Sequence, residues 1–184
     1  MLPTWRKLKN EIDVHWKPYG KASVRLYFRK CLMIFQTFFL QKHKKNDQSD
    51  VGFDFDCQHG PPECLGNMIH ACAVKYVKDQ NLINEYIGCM MDNNRQLEEA
   101  GQKCASKLGH IDWSVISKCS QSIEGGTLLA NLGDDTHSLK PSVSFIPTIQ
   151  MNGSQQQQNI LLKDLTKAVC ESFDIEAKPD ACLK

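Results

Sequence analysis

The densest run of reactive side chains is Cys57-Gln58-His59-Gly60-Pro61-Pro62-Glu63-Cys64-Leu65-Gly66-Asn67-Met68-Ile69-His70-Ala71-Cys72. Thiolate and imidazole suit zinc, and Cys57, His59, Cys64, His70 and Cys72 could supply a donor set. Against that reading, no CxxC pair supplies the tight knuckle of the common structural sites. The second chemistry is a disulfide framework. Nine cysteines in 184 residues is high for a compartment that keeps thiols reduced and natural for the secretory pathway. The framework is therefore preferred, and no metal is expected.

Cys31 lies in an unusual segment described below. Setting it aside leaves Cys57, Cys64, Cys72, Cys89, Cys104, Cys119, Cys170 and Cys182, an even set. If Cys64 and Cys72 share one helix they stand about 12 Å apart, beyond the span of a disulfide. Each then needs a partner elsewhere. Cys104 with Cys119 and Cys170 with Cys182 are the local pairs expected, with further bridges among Cys57, Cys64, Cys72 and Cys89.

Hydrophobic periodicity supplies the elements that must hold these residues. Leu2, Trp5 and Leu8 recur at threes, a helical face, and Ile12, Val14 and Trp16 then alternate as a short strand ended by Pro18-Tyr19-Gly20. Leu65, Met68, Ile69, Cys72, Ala73 and Tyr76 predict a helix from near Cys64 to Val77. Shorter helices are expected over 81–91 and 92–105, and Asp112 is placed to cap another running through Cys119. Residues 126–132 read as helix and 143–151 as strand. Asn152-Gly153 is the preferred pair for a two-residue hairpin turn, and 161–173 reads as a closing amphipathic helix.

Charge and hydropathy narrow the classes. Lys and Arg number 22 against 21 Asp and Glu, so no basic excess points to nucleic acid. No run reaches the roughly 18–20 apolar residues needed to cross a bilayer. Residues 23–52 stand apart: the nearly apolar stretch 31–40 is flanked by Arg25, Arg29, Lys30, Lys42, Lys44 and Lys45. As a helix that stretch would span about half a bilayer core. It is read as an atypical, poorly ordered insertion that exposes Leu32, Ile34, Phe35, Phe38 and Phe39.

The pattern Cys57-Gln58-His59-Gly60-x-x-Glu63-Cys64-x-x-Asn67-x-x-x-x-Cys72 resembles the signature of the gamma-interferon-inducible lysosomal thiol reductases. Pro3-Thr4-Trp5, Val14 to Gly20 and Phe145 to Gly153 also resemble segments of that family. Together the resemblance covers about residues 1–22 and 53–184. It implies an α/β fold in which a thioredoxin-like core, incomplete at the N-terminus, carries a cysteine-rich, disulfide-bonded helical insertion. Residues 1–22 and 121–184 would be parts of the core and 53–120 the insertion.

The resemblance further implies reduction of disulfide-bonded protein substrates through a CxxC dithiol, in lysosomes or outside the cell, without metal or organic cofactor. The 184 residues contain no CxxC. By this pattern Met1 falls within the family's first helix, past the place of the dithiol. A truncated gene model that also reads through an intron at 23–52 is the expectation, and the chain as written is expected to be inactive. The rival is a noncatalytic, secreted binding protein on the same framework. Pro147 is expected to be the cis-proline beside the active site. Asn152-Gly153-Ser154 is a formal glycosylation sequon. His59 and His70 are read as packing or hydrogen-bonding residues, and Glu63 and Asn67 as braces of the helix start.

Overall fold

The computed structural model describes residues 2–28, 51–93 and 95–183. Helix α1 spans Leu2–Leu8 and buries Thr4, Trp5 and Leu8, the face set by the spacing of its apolar residues. Strands β1, Ser23–Phe28, and β2, Val51–Asp56, pair antiparallel with Ser23 opposite Asp56 and Phe28 opposite Val51. Five helices follow: α2, Pro61–Tyr76, α3, Gln80–Asp92, α4, Leu97–Leu108, α5, Trp113–Ser120, and α6, Ile123–Ser138. The chain closes with α7, Gln158–Lys163, α8, Leu165–Glu171, and two 3-10 turns at Ile175–Ala177 and Asp180–Cys182.

Capping explains where these helices begin and end. Asp79 accepts from Leu82 N at 2.9 Å and Asp112 accepts from Ser114 N at 2.9 Å, each satisfying a backbone donor that the first turn leaves free. Gly109, at φ 76°, stops α4 in the left-handed conformation that glycine adopts at least cost. The main core lies among α2, α3, α4 and α5, where Ile69, Tyr86, Ile87, Met90, Ala105 and Ile116 pack together. A smaller cluster of Tyr19, Ala22, Cys57, Cys64 and Leu129 joins β2, α2 and α6.

Four expectations are corrected. Residues 12–16 form no strand: Ile12, Val14 and Trp16 are half-buried and alternate with exposed neighbours, yet no second strand pairs with them among the described residues. Their partners are side chains of α3, with the Trp16 indole donating to Asn84 Oδ1 at 2.6 Å and Gln80 Nε2 donating to the Val14 carbonyl at 2.6 Å. Alternation therefore marks an extended segment lying on a helix. Residues 143–151 also form no strand beyond a bridge between Met151 and Ser154. Pro147 lacks an N–H, and the side chain of Gln158 occupies both Ile149 N and Ile149 O.

The closing helix is broken. Asp164 N donates to the Ile160 carbonyl at the end of α7, while its carboxylate accepts from Lys167 N and caps α8. A capping residue in mid-pattern splits 161–173 in two. Residues 23–28 and 51–52, assigned to a poorly ordered insertion, are paired strand. Neither strand had a visible partner in the sequence because the other lies across more than twenty residues. Cys31 and the apolar stretch 31–40 lie outside the described residues.

Candidate functional site

The signature begins where β2 ends. Cys57 is the residue after the strand, and Gly60, at φ 80°, makes the sharp turn into α2 that a side-chain-bearing residue would resist. Pro61 then opens the helix, where its missing N–H costs nothing. The turn is braced from within: Glu63 Oε2 accepts from the backbone N–H of His59 at 2.6 Å and lies 2.8 Å from His59 Nδ1. This becomes an ion pair once the imidazole is protonated. Gln58 and His59 are exposed. Asn67 does not brace the helix start; its Nδ2 reaches the Tyr19 carbonyl at 3.4 Å.

Three segments distant in sequence meet here. Tyr19 is fully buried and packs edge-on against His137, with ring centroids 5.4 Å apart. It fits because residue 133 is glycine: a Cβ there would stand 2.6 Å from the Tyr19 ring. Burial, and then the charge of Asp134, raise the pKa of the Tyr19 phenol. A Cβ on Gly20 would stand 3.4 Å from Ile146 Cδ1 and 3.6 Å from Glu63 Oε1. Gly20, Glu63 and Ile146 are thus neighbours, and the peptide from Ile146 to Pro147 is cis.

Pro147 is exposed and Phe145 is 40% exposed. Among the described residues, no backbone–backbone hydrogen bond is made from Val143 to Gln150. That leaves an open edge beside the signature turn.

All eight expected cysteines are oxidised, in the pairs Cys57–Cys64, Cys72–Cys119, Cys89–Cys104 and Cys170–Cys182. The expected pair of Cys104 with Cys119 is corrected. Cys104 on α4 faces Cys89 on α3, while Cys119 on α5 faces Cys72 on α2; Cys89 and Cys119 are equally near Cys104 in sequence, 15 residues to either side, so helix packing makes the choice. Cys64 and Cys72 do share one helix and take partners elsewhere. Of the zinc set, Cys57, Cys64 and Cys72 hold no free thiolate, so the donor chemistry a metal needs is not offered there.

His70 points inward, its Nε2 buried without a hydrogen-bond partner among the described residues. Burial pushes it down to about 4, so it is neutral at pH 7. Asn152 and Gly153, at φ 49° and 79°, form the two-residue turn closed by Met151 and Ser154. What sequence reasoning missed is the anchor Gln158. Its signal, a glutamine run ahead of an apolar helix, is too generic to find it.

The site therefore offers a rigid disulfide-bonded turn and an exposed backbone edge, and no thiol nucleophile among its described residues. Comparison with known proteins points to a family. Residues 1–108 match the family model for gamma interferon inducible lysosomal thiol reductase. The chain is 26% identical over 197 residues to a gamma-interferon-inducible lysosomal thiol reductase-like protein of Anopheles gambiae, covering all of this chain and 71% of that protein. It is 34% identical over 110 residues to GILT-like protein 1 of Drosophila melanogaster, covering 53% of this chain and 44% of that protein. Similarity to the gamma-interferon-inducible lysosomal thiol reductase of Carassius auratus is 28% over 185 residues, covering 99% of this chain and 63% of that protein. The signature lies within the residues that the family model matches, and that match covers more than half of the chain, which leads to one assignment: the chain belongs to the gamma-interferon-inducible lysosomal thiol reductase family.

Proposed function

We propose that this protein serves thiol–disulfide exchange on disulfide-bonded protein substrates, in the lysosome or outside the cell, on a thioredoxin-like core. The observation that carries the reading is the exposed Phe145–Pro147 edge, whose Ile146 lies beside Gly20, itself next to Glu63 of the signature turn. An edge with free backbone groups can receive an extended substrate segment as an added strand. The reaction also needs a thiolate to attack the substrate disulfide and a second thiol to release the mixed disulfide. The 184 residues hold no CxxC, so here they supply framework and substrate edge. The dithiol is assigned to sequence outside them.

A specific observation favours a second reading. With all eight described cysteines paired, the same edge also suits a noncatalytic binder of unfolded, disulfide-bonded protein. Insulin reduction separates the two. The native protein is expected to reduce insulin at acid pH, with trapping by iodoacetamide at a cysteine outside these residues, while the 184-residue chain alone is expected to leave insulin intact. Native protein that binds insulin without reducing it would replace the reductase with the binder.

A further inference from the structure

We propose that Asn152 is a modification site and carries an N-linked oligosaccharide at the tip of the turn beside the substrate edge. Asn152-Gly153-Ser154 is the single Asn-x-Ser/Thr sequence in the 184 residues. Its geometry suits an acceptor. Asn152, Gly153 and Ser154 are all exposed, and a Cβ built on Gly153 would meet nothing within 4 Å. The Asn152 side chain makes no hydrogen bond among the described residues, so its amide is free to be substituted.

The backbone needs the same residue for a different reason. Met151 N donates to the Ser154 carbonyl at 2.9 Å and Ser154 N returns the bond at 3.0 Å, and the turn they close has positive φ at both residues between them. Asparagine tolerates that conformation better than most residues. The turn is also held from behind, because Gln158 on α7 bonds both Ile149 and the Gln155 carbonyl. A bulky group on Asn152 would therefore project into solvent without displacing packed structure.

The transfer is a simple substitution. The Asn152 amide nitrogen bonds to the anomeric carbon of a lipid-pyrophosphate-linked oligosaccharide. The bond from that carbon to the pyrophosphate oxygen breaks, the lipid pyrophosphate leaves with the electron pair, and the amide proton goes to a base. Nothing is oxidised or reduced. The proposal rests on the compartment in the reading above, since donor and transferase are lumenal and four disulfides are at home there.

The test is glycosidase treatment of the full chain passed through a eukaryotic secretory pathway behind a cleavable leader. One glycan's worth of mass should disappear, and the site should be read out as Asp at position 152. Ser154→Ala keeps Asn152 and the turn, because Ser154 joins the turn through its backbone, and is expected to abolish the shift completely. Ser154→Thr is expected to retain it. A secreted wild-type chain with all four disulfides formed and Asn152 bare overturns the proposal and leaves the reductase reading standing. Native protein recovered with reduced cysteines in the cytosol overturns the compartment, and with it both readings.

Discussion

In the helices from α2 to α5, Ile69, Cys72, Tyr86, Ile87, Met90, Cys104 and Ile116 are all at most 2% exposed. Among the described residues from 139 to 183, only Leu161, Ala168 and Cys170 are buried. The first region joins its helices through Cys72–Cys119 and Cys89–Cys104 inside one core. The second is pinned by individual contacts: Gln158 to Ile149, Thr166 to Thr4 at 2.8 Å, and Cys170 to Cys182. The difference teaches a division of labour. Apolar burial is non-directional and stabilises a whole lobe at once, so the helical lobe can carry the fold. The C-terminal segment is then free to leave backbone groups of Ile146 and Pro147 without a partner among the described residues, although Thr148 Oγ1 donates to the Phe145 carbonyl, and binding surfaces are drawn from such weakly held regions.

The sharpest way to break this contrast is to cut the longest bridge. Cys72–Cys119 closes 47 residues and lies in the core, so Cys72→Ser with Cys119→Ser should cost about 4 kcal/mol from loop entropy alone. Urea unfolding should show a large drop in midpoint for the whole molecule. A midpoint within experimental error of wild type would mean that the helical lobe does not depend on its bridge.

Acidification probes the same lobe from inside. His70 has its folded pKa depressed to about 4, below the ordinary 6.5, so between these values the unfolded chain binds more protons. Stability is then full above about pH 6.5, falls as pH drops towards 4, and changes no further below that. The loss is on the order of 3 kcal/mol. His70→Leu should flatten that part of the pH–stability curve. A curve equally steep in the variant would assign acid sensitivity to other groups.

The smallest global effect is expected from Cys170–Cys182. Its loop spans 12 residues and ties the exposed turns after α8. The entropy model gives about 3 kcal/mol for such a loop, but few buried contacts couple it to the rest. Serine at both positions should speed hydrogen exchange in residues 172–183 while the main unfolding midpoint barely moves. A global shift as large as that for Cys72–Cys119 would erase the contrast between the regions.

Much of this was legible residue by residue. The face of α1, the course of α2, the cap at Asp112 and the turn at Asn152-Gly153 all follow from interactions within a few positions. The signature run was legible too, because its glycine, prolines and glutamate build one local turn. Less was legible where one residue serves two elements. Asp164 ends α7 and starts α8, and periodicity alone ran the two together.

The sequence by itself determined which stretches are helical, which cysteines can be bridged and which family turn precedes α2. Those properties depend on local sterics, capping and composition. The tertiary structure alone decided that Cys104 joins Cys89 while Cys119 joins Cys72, that β1 finds β2, and that Ile146 arrives beside Gly20 and Glu63. Each of those is a choice among partners distant in sequence. Such choices are settled by how helices pack their apolar faces into one core, which no local pattern of residues records.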